Sequence, residues 1–293
     1  MELFWPLLVA RWLHLWSLLA LFGAALFAVY APPGGADALD KFKAWLAAIA
    51  LASGVGFLTL MLVDMTEEVD SLFSPARWHA LLLDTGFGRI WLLRLLALAA
   101  LLLWVGGRRG RPDAWHIDAA LSAALLVSLA WVGHAGAGQG TDGFAGMFAY
   151  GCHVLAAGAW LGGLLPLSFA LANALRGGDG KRLCAALERF SRLGMAAVAL
   201  ILASGILSAG LNMQGFADLG RTLYGRALLG KMALFAMLLA LAAANRWIFL
   251  RQLRRQAGLG PIRALTKTVT AEHAIGLGLV ALAAALSSLA PMD

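Results

Sequence analysis

His153-Val154-Leu155-Ala156-Ala157-Gly158-Ala159-Trp160-Leu161-Gly162-Gly163 lies inside an apolar run, 145–171, that contains no Asp, Glu, Lys or Arg. A helix rising 1.5 Å per residue needs about 20 such residues to cross roughly 30 Å of hydrocarbon, so the run reads as a membrane-spanning helix. A histidine in that setting is costly, and polar groups in such helices are usually functional.

Outward from this run the same pattern recurs. Hydrophobic residues make up 61% of the 293-residue chain and charged ones 13%, where a soluble domain carries about 25% charge. Apolar runs fall near 7–30, 44–63, 87–105, 116–133, 145–171, 192–211, 226–249 and 271–290. None alternates polar and apolar residues, which excludes a β-barrel. The expectation is an all-α, polytopic helix bundle, a single integral membrane domain over 1–293 with eight spans and both termini on one side.

Arginines and lysines set the orientation. The connections 106–115, 173–191 and 246–268 carry Arg108, Arg109, Arg111, Arg176, Lys181, Arg182, Arg189, Arg246, Arg251, Arg254, Arg255, Arg263 and Lys267. By the positive-inside rule these face the cytoplasm. The 64–86 connection instead carries Asp64, Glu67, Glu68, Asp70 and Asp84, so it and both termini face outward. The net charge of +7 follows from this topology and from contact with anionic lipid, not from nucleic-acid binding. The first span, with Trp12, His14 and Trp16, reads as a retained helix rather than a cleaved leader. Cys152 and Cys184, the two cysteines, fall at different depths, so neither a disulfide framework nor a CxxC site is available.

Candidate chemistry gathers on the outward side. His14 lies about seven residues into the first span and His153 about eight into the fifth, both roughly 10–12 Å below the outer surface. His134, in the element Gly133-His134-Ala135, ends the fourth span. Three neutral imidazoles at one depth suit a transition metal, since imidazole binds copper, zinc, iron and nickel, against the plainer reading that each hydrogen-bonds a neighbouring helix. Met61 and Met65, four apart on one helix face, add thioethers that favour Cu(I), or simply pack. Arg94, Lys231, Glu272 and His273 are further polar groups within or beside spans. They read either as a polar path leading inward or as structural pairs.

Other motifs are missing. The sequence contains no GxxxxGK[ST] loop, no HExxH and no GxSxG, so a nucleotide-driven pump and hydrolytic enzymes are disfavoured, and the chain is not expected to be an enzyme.

The block Tyr224-Gly225-Arg226-Ala227-Leu228-Leu229-Gly230-Lys231, followed by Asn245-Arg246, resembles the copper resistance protein D (CopD) family of bacterial inner-membrane proteins, most specifically over 190–246. The Gly-His-Ala element and the run His153 to Trp160, Gly162 and Gly163 look like that family's amino-terminal half, and Glu272 like its last span. The resemblance implies a polytopic inner-membrane protein that handles copper, with uptake and tolerance both ascribed to the family. It also implies a periplasmic copper-binding partner of the CopC type, here a separate protein. The spans are poor in methionine, so histidine and carboxylate carry more of the coordination than sulfur does.

The resulting expectation is a copper permease. His14, His134 and His153 capture the ion at the periplasmic side, with Met61 and Met65 as secondary ligands. Two alternatives stay open: a haem b redox protein ligated by His14 and His153, and a factor that delivers copper without transporting it.

Overall fold

The computed structural model describes residues 3–31, 36–107, 114–132, 140–212, 222–255 and 258–287. Among these every regular element is helical. The first helix, α1 (Phe4–Tyr30), is apolar on all sides and nearly every residue from Ser17 to Ala28 is buried. Such a helix has no face suited to the periphery and goes to the centre of the bundle. Around it pack α2 (Ala36–Thr66), α5 (Trp115–Val127, extended by the 3-10 turn Ser128–Trp131) and α11 (Leu259–Leu286). The helix α4 (Gly86–Gly107) packs on α2.

The fifth run forms a broken helix. It comprises α6 (Gly140–Ala157), a π turn at Gly158–Gly162 and α7 (Leu164–Leu175). Next come α8 (Gly180–Asn212) and a second broken helix: α9 (Leu223–Ala244), a π turn at Asn245–Phe249 and α10 (Leu250–Arg255). Seven of these bodies are long and apolar enough to cross a membrane, and Trp115–Trp131 is a shorter apolar helix. Its 13 α-helical and four 3-10 residues reach about 27 Å, close to the hydrocarbon thickness. Between α2 and α4 the outward connection holds a 3-10 turn, Val69–Phe73, and the short helix α3 (Pro75–Leu83).

The first and last described helices meet. Arg11 Nη1 donates to Ser287 Oγ at 3.0 Å, and Trp12 Nε1 to the Leu277 carbonyl at 3.2 Å. The start of α1 therefore lies beside the end of α11. At the opposite end Arg189 on α8 donates to the Tyr30 carbonyl.

Pro166 helps to place the first π turn. A proline ring collides with the carbonyl four residues earlier and offers no N–H, so the helix cannot run regularly through Gly162. The widened turn is also where α1 comes closest: a Cβ on Gly23 would strike the backbone of Gly162 and Gly163, and one on Gly162 would strike the Leu19 carbonyl. Small residues let the two backbones touch, which is how membrane helices pack without a hydrophobic drive.

Burial falls away from α1. Sixty-seven per cent of its apolar window is buried inside the protein, against 6% for that of the α9–α10 span, so α9 lies at the periphery of the bundle.

Candidate functional site

His14 is 3% exposed and both its ring nitrogens are engaged. Nε2 lies 3.0 Å from Arg94 Nη2 and Nδ1 2.8 Å from the Ala50 carbonyl. A guanidinium only donates, so Nε2 must accept and Nδ1–H must donate to Ala50. The ring is thereby held neutral and in one tautomer, joining α1, α2 and α4. The Trp91 ring lies 5.0 Å from it and also underlies the guanidinium at 5.3 Å. Arg94 further donates to the Leu125 carbonyl at 3.0 Å and to Ser128 Oγ, reaching α5. The two terminal nitrogens of Arg94 thus meet neutral acceptors and the guanidinium lies over the indole face, while its buried Nε has no hydrogen-bond partner among the described residues; His14 in this arrangement offers no open nitrogen to copper or to a haem iron.

His153 faces the other way. Its Nδ1 lies 3.0 Å from Ser204 Oγ on α8. The Ser204 hydroxyl also lies 2.6 Å from the Leu200 carbonyl and 3.1 Å from that of Ile201; with its proton on either carbonyl it accepts from His153 Nδ1–H, and the Nε2 lone pair is then the ring's position for a ligand. Lys231 on α9 stands within electrostatic range of this ring. Trp160, 3% exposed, meets Phe235 of α9 edge-on at 6.0 Å, tying the π turn to the same helix.

The structure does not bring His14 and His153 together: one belongs to the α1–α2–α4 junction, the other to the α6–α8 contact. Among the described residues no group of three His, Cys, Asp or Glu side chains converges to hold a metal. His134 lies outside the described residues. Met61 packs beside Phe57, Leu58 and Trp91, whereas Met65 is 62% exposed.

Toward the other end of the bundle, Glu272 is 2% exposed on α11. Asn245 Nδ2, in the second π turn, donates to Glu272 Oε1 at 3.1 Å, while Thr268 Oγ1 donates to Asn245 Oδ1. Arg246 Nη1 donates to Ser191 Oγ at 2.6 Å, linking this turn to α8. His273, the next residue on α11, lines a cavity of about 10 Å³ with Trp16, Leu161, Gly162 and Gly276. The Tyr224-Gly225-Arg226 block starts α9: Thr222 Oγ1 accepts from the Gly225 N–H at 3.0 Å, an N-cap that meets one of the helix's orphan donors.

A buried ion cluster went unread in the sequence. Lys43 pairs with Asp40 at 2.7 Å and also with Asp118, all at most 2% exposed, and Trp104 Nε1 donates to Asp118 at 3.1 Å. The signal was available: Asp40 and Lys43 are three apart at the start of one apolar helix, and Asp118 sits inside another.

Comparison with known proteins bears on this arrangement. A family profile described as the copper resistance protein D-like N-terminal domain matches residues 1–144, and one described as copper resistance protein D matches 184–286. The inner membrane protein YebZ of Escherichia coli (strain K12) is 30% identical over 84% of this chain and 84% of its own length. The chain belongs to the copper resistance protein D family. Copper resistance protein D of Pseudomonas syringae pv. tomato is 29% identical over 93% of this chain and 92% of its own. The copper transport protein CutJ of Bacillus subtilis (strain 168) is 28% identical over 75% of this chain, which spans 40% of that longer protein. No solved structure matches.

As a CopD-family member this is a multi-pass, copper-handling protein of the inner membrane. His14, Arg94 and the Lys43 cluster fall in the amino-terminal profile, and Ser204, Lys231, Asn245 and Glu272 in the carboxy-terminal one. His153 and the first π turn lie between the two matched regions and face both.

Proposed function

We propose that this CopD-family protein carries copper inward across the membrane from a periplasmic capture site centred on His153, and so contributes to copper tolerance. The observation that carries the reading is the contact of His153 Nδ1 with Ser204 Oγ at 3.0 Å. Ser204 takes the Nδ1–H, so a neutral Nε2 lone pair is presented deep in an apolar span, where imidazole is a good ligand for either copper oxidation state.

His134 is the second ligand by its place in the sequence, and Met61 and Met65 are auxiliary ones. His14 and Arg94 act differently, by locking α1 to α4 so that the outer half of the bundle keeps its shape. Lys231, Glu272 and His273 line the route inward along α9 and α11. A periplasmic copper-binding protein of the CopC type supplies the ion. The printed names of the relatives, copper resistance protein D and copper transport protein, agree with copper as cargo rather than as a resident catalytic centre.

The test is uptake of Cu(I), held reduced, and of Cu(II) into liposomes containing the purified protein, wild type beside His153→Ala. Wild-type vesicles should accumulate copper and the variant should lose both retention and uptake. Copper retained without accumulation inside would make the protein a delivery factor. A Soret band in the purified protein would replace the reading with a haem one.

A further inference from the structure

Three carboxylates are buried among the described residues: Asp40, Asp118 and Glu272. Asp40 and Asp118 share the ammonium of Lys43. Glu272 differs, because among the described residues its partner is the neutral amide of Asn245 and no cation lies within ion-pair distance. An isolated carboxylate in a low-dielectric interior is so costly that the group neutralises instead, by taking a proton or another cation.

The groups that could answer this charge are otherwise occupied, distant or turned away. On α9, Arg226 and Lys231 precede Asn245 by 19 and 14 residues, roughly 29 and 21 Å along the helix. On the π turn, Arg246 donates to Ser191. On α10, Arg254 pairs with Glu188, and Arg251 and Arg255 are exposed. On α11 itself, Arg263 and Lys267 are exposed, and His273 projects about 100° further round the helix to the small cavity behind Gly162. Neither α7 nor the part of α1 beyond Trp16 contains a charged residue.

The placement also supplies a means of change. Both helix interruptions pack along α11: the Asn245–Phe249 turn touches it directly, and the Gly158–Gly162 turn shares with it the cavity lined by His273. π turns recur at functional sites, because they shift register at small cost.

We propose that Glu272 is the proton-binding site of the transport cycle, neutral within the closed bundle and exchanging its proton with the cytoplasmic side when α9 and α11 shift. The step breaks the O–H bond of the acid and passes the proton to cytoplasmic water. The carboxylate that remains keeps its hydrogen bond from Asn245 Nδ2. This rests on the transport reading above and adds to it the ion that couples transport.

The experiment has two arms. Infrared spectra of the purified wild-type protein at neutral pH should show a buried carboxylic-acid C=O band that Glu272→Gln removes and Glu272→Asp retains in shifted form. In liposomes, a pH gradient of one unit should change wild-type copper accumulation by up to about tenfold per coupled proton. Glu272→Gln should still retain copper at His153 but lose that response. Lack of the infrared band, or its survival in Glu272→Gln, overturns the proposal whatever the vesicles do. Wild-type copper uptake indifferent to pH overturns it while leaving the transport reading intact. If the wild type moves no copper, the transport reading falls, and with it the coupling role of Glu272; the infrared arm then judges the proton alone.

Discussion

Arg94 on α4 donates to Nε2 of His14 on α1 at 3.0 Å, and this bond sets the protonation of the whole α1–α2–α4 junction. With Nε2 accepting, Nδ1 must donate to Ala50. Replacing His14 with Ala leaves a buried charged N–H unmet, at a cost of about 1–3 kcal/mol. We expect a lower denaturation midpoint in detergent for His14→Ala and partial recovery in His14→Gln, whose amide oxygen still accepts. Copper retention should stay near wild type in both variants; its loss in the folded His14→Gln protein would make His14 a ligand after all.

Ser204 orients the ring of His153 without touching the ion. Groups in that position typically tune metal affinity by about 10–100-fold. Ser204→Ala should weaken copper retention by that factor in a competition with a chelator. The loss of one interhelical hydrogen bond should lower stability by only about 0.6 kcal/mol. Equal copper affinity in wild type and variant would count against the capture site.

Gly162 contacts α1 at backbone level, so a methyl group there has nowhere to go. Gly162→Ala should cost about 3 kcal/mol or more, at the upper end for overpacking, and lower the yield of folded protein. Gly205, whose Cβ would meet nothing within 4 Å, is the control: Gly205→Ala should be neutral or stabilising by up to about 1 kcal/mol.

Lys43 holds two buried carboxylates. Removing its charge alone in Lys43→Met should destabilise the protein by about 3–5 kcal/mol, because Asp40 and Asp118 then lose the buried ammonium they share. Adding Asp40→Asn and Asp118→Asn to Lys43→Met should restore most of the loss in thermal melts. If the triple variant melts below the single one, repulsion between the carboxylates is not the cause.

Particular residues show how far the sequence could be read. His153, Trp160 and Glu272 could be singled out because each interrupts or anchors an apolar run. His14 and His153 were expected at one depth, yet their rings take hydrogen-bond partners on different helices. Depth follows from counting 1.5 Å per residue; which neighbouring helix a side chain faces depends on how the helices are arranged around one another. Lys43, Asp40 and Asp118 went unread for the same reason, since two of them lie on α2 and the third on α5, 75 residues from Lys43.

The sequence by itself determined the helical class and the apolar runs, and the arginine and lysine placement gave the expected orientation. A bilayer permits few solutions to the backbone hydrogen-bond requirement, and the placement of arginine and lysine selects one side. Only the tertiary structure decided which polar groups meet: Arg94 with His14, Ser204 with His153, Asn245 with Glu272, Lys43 with both aspartates. Those choices follow from helix azimuth and from the backbone approach of α1 at Gly23 and Gly162. Both are set by packing between segments far apart in the chain, to which local periodicity is blind.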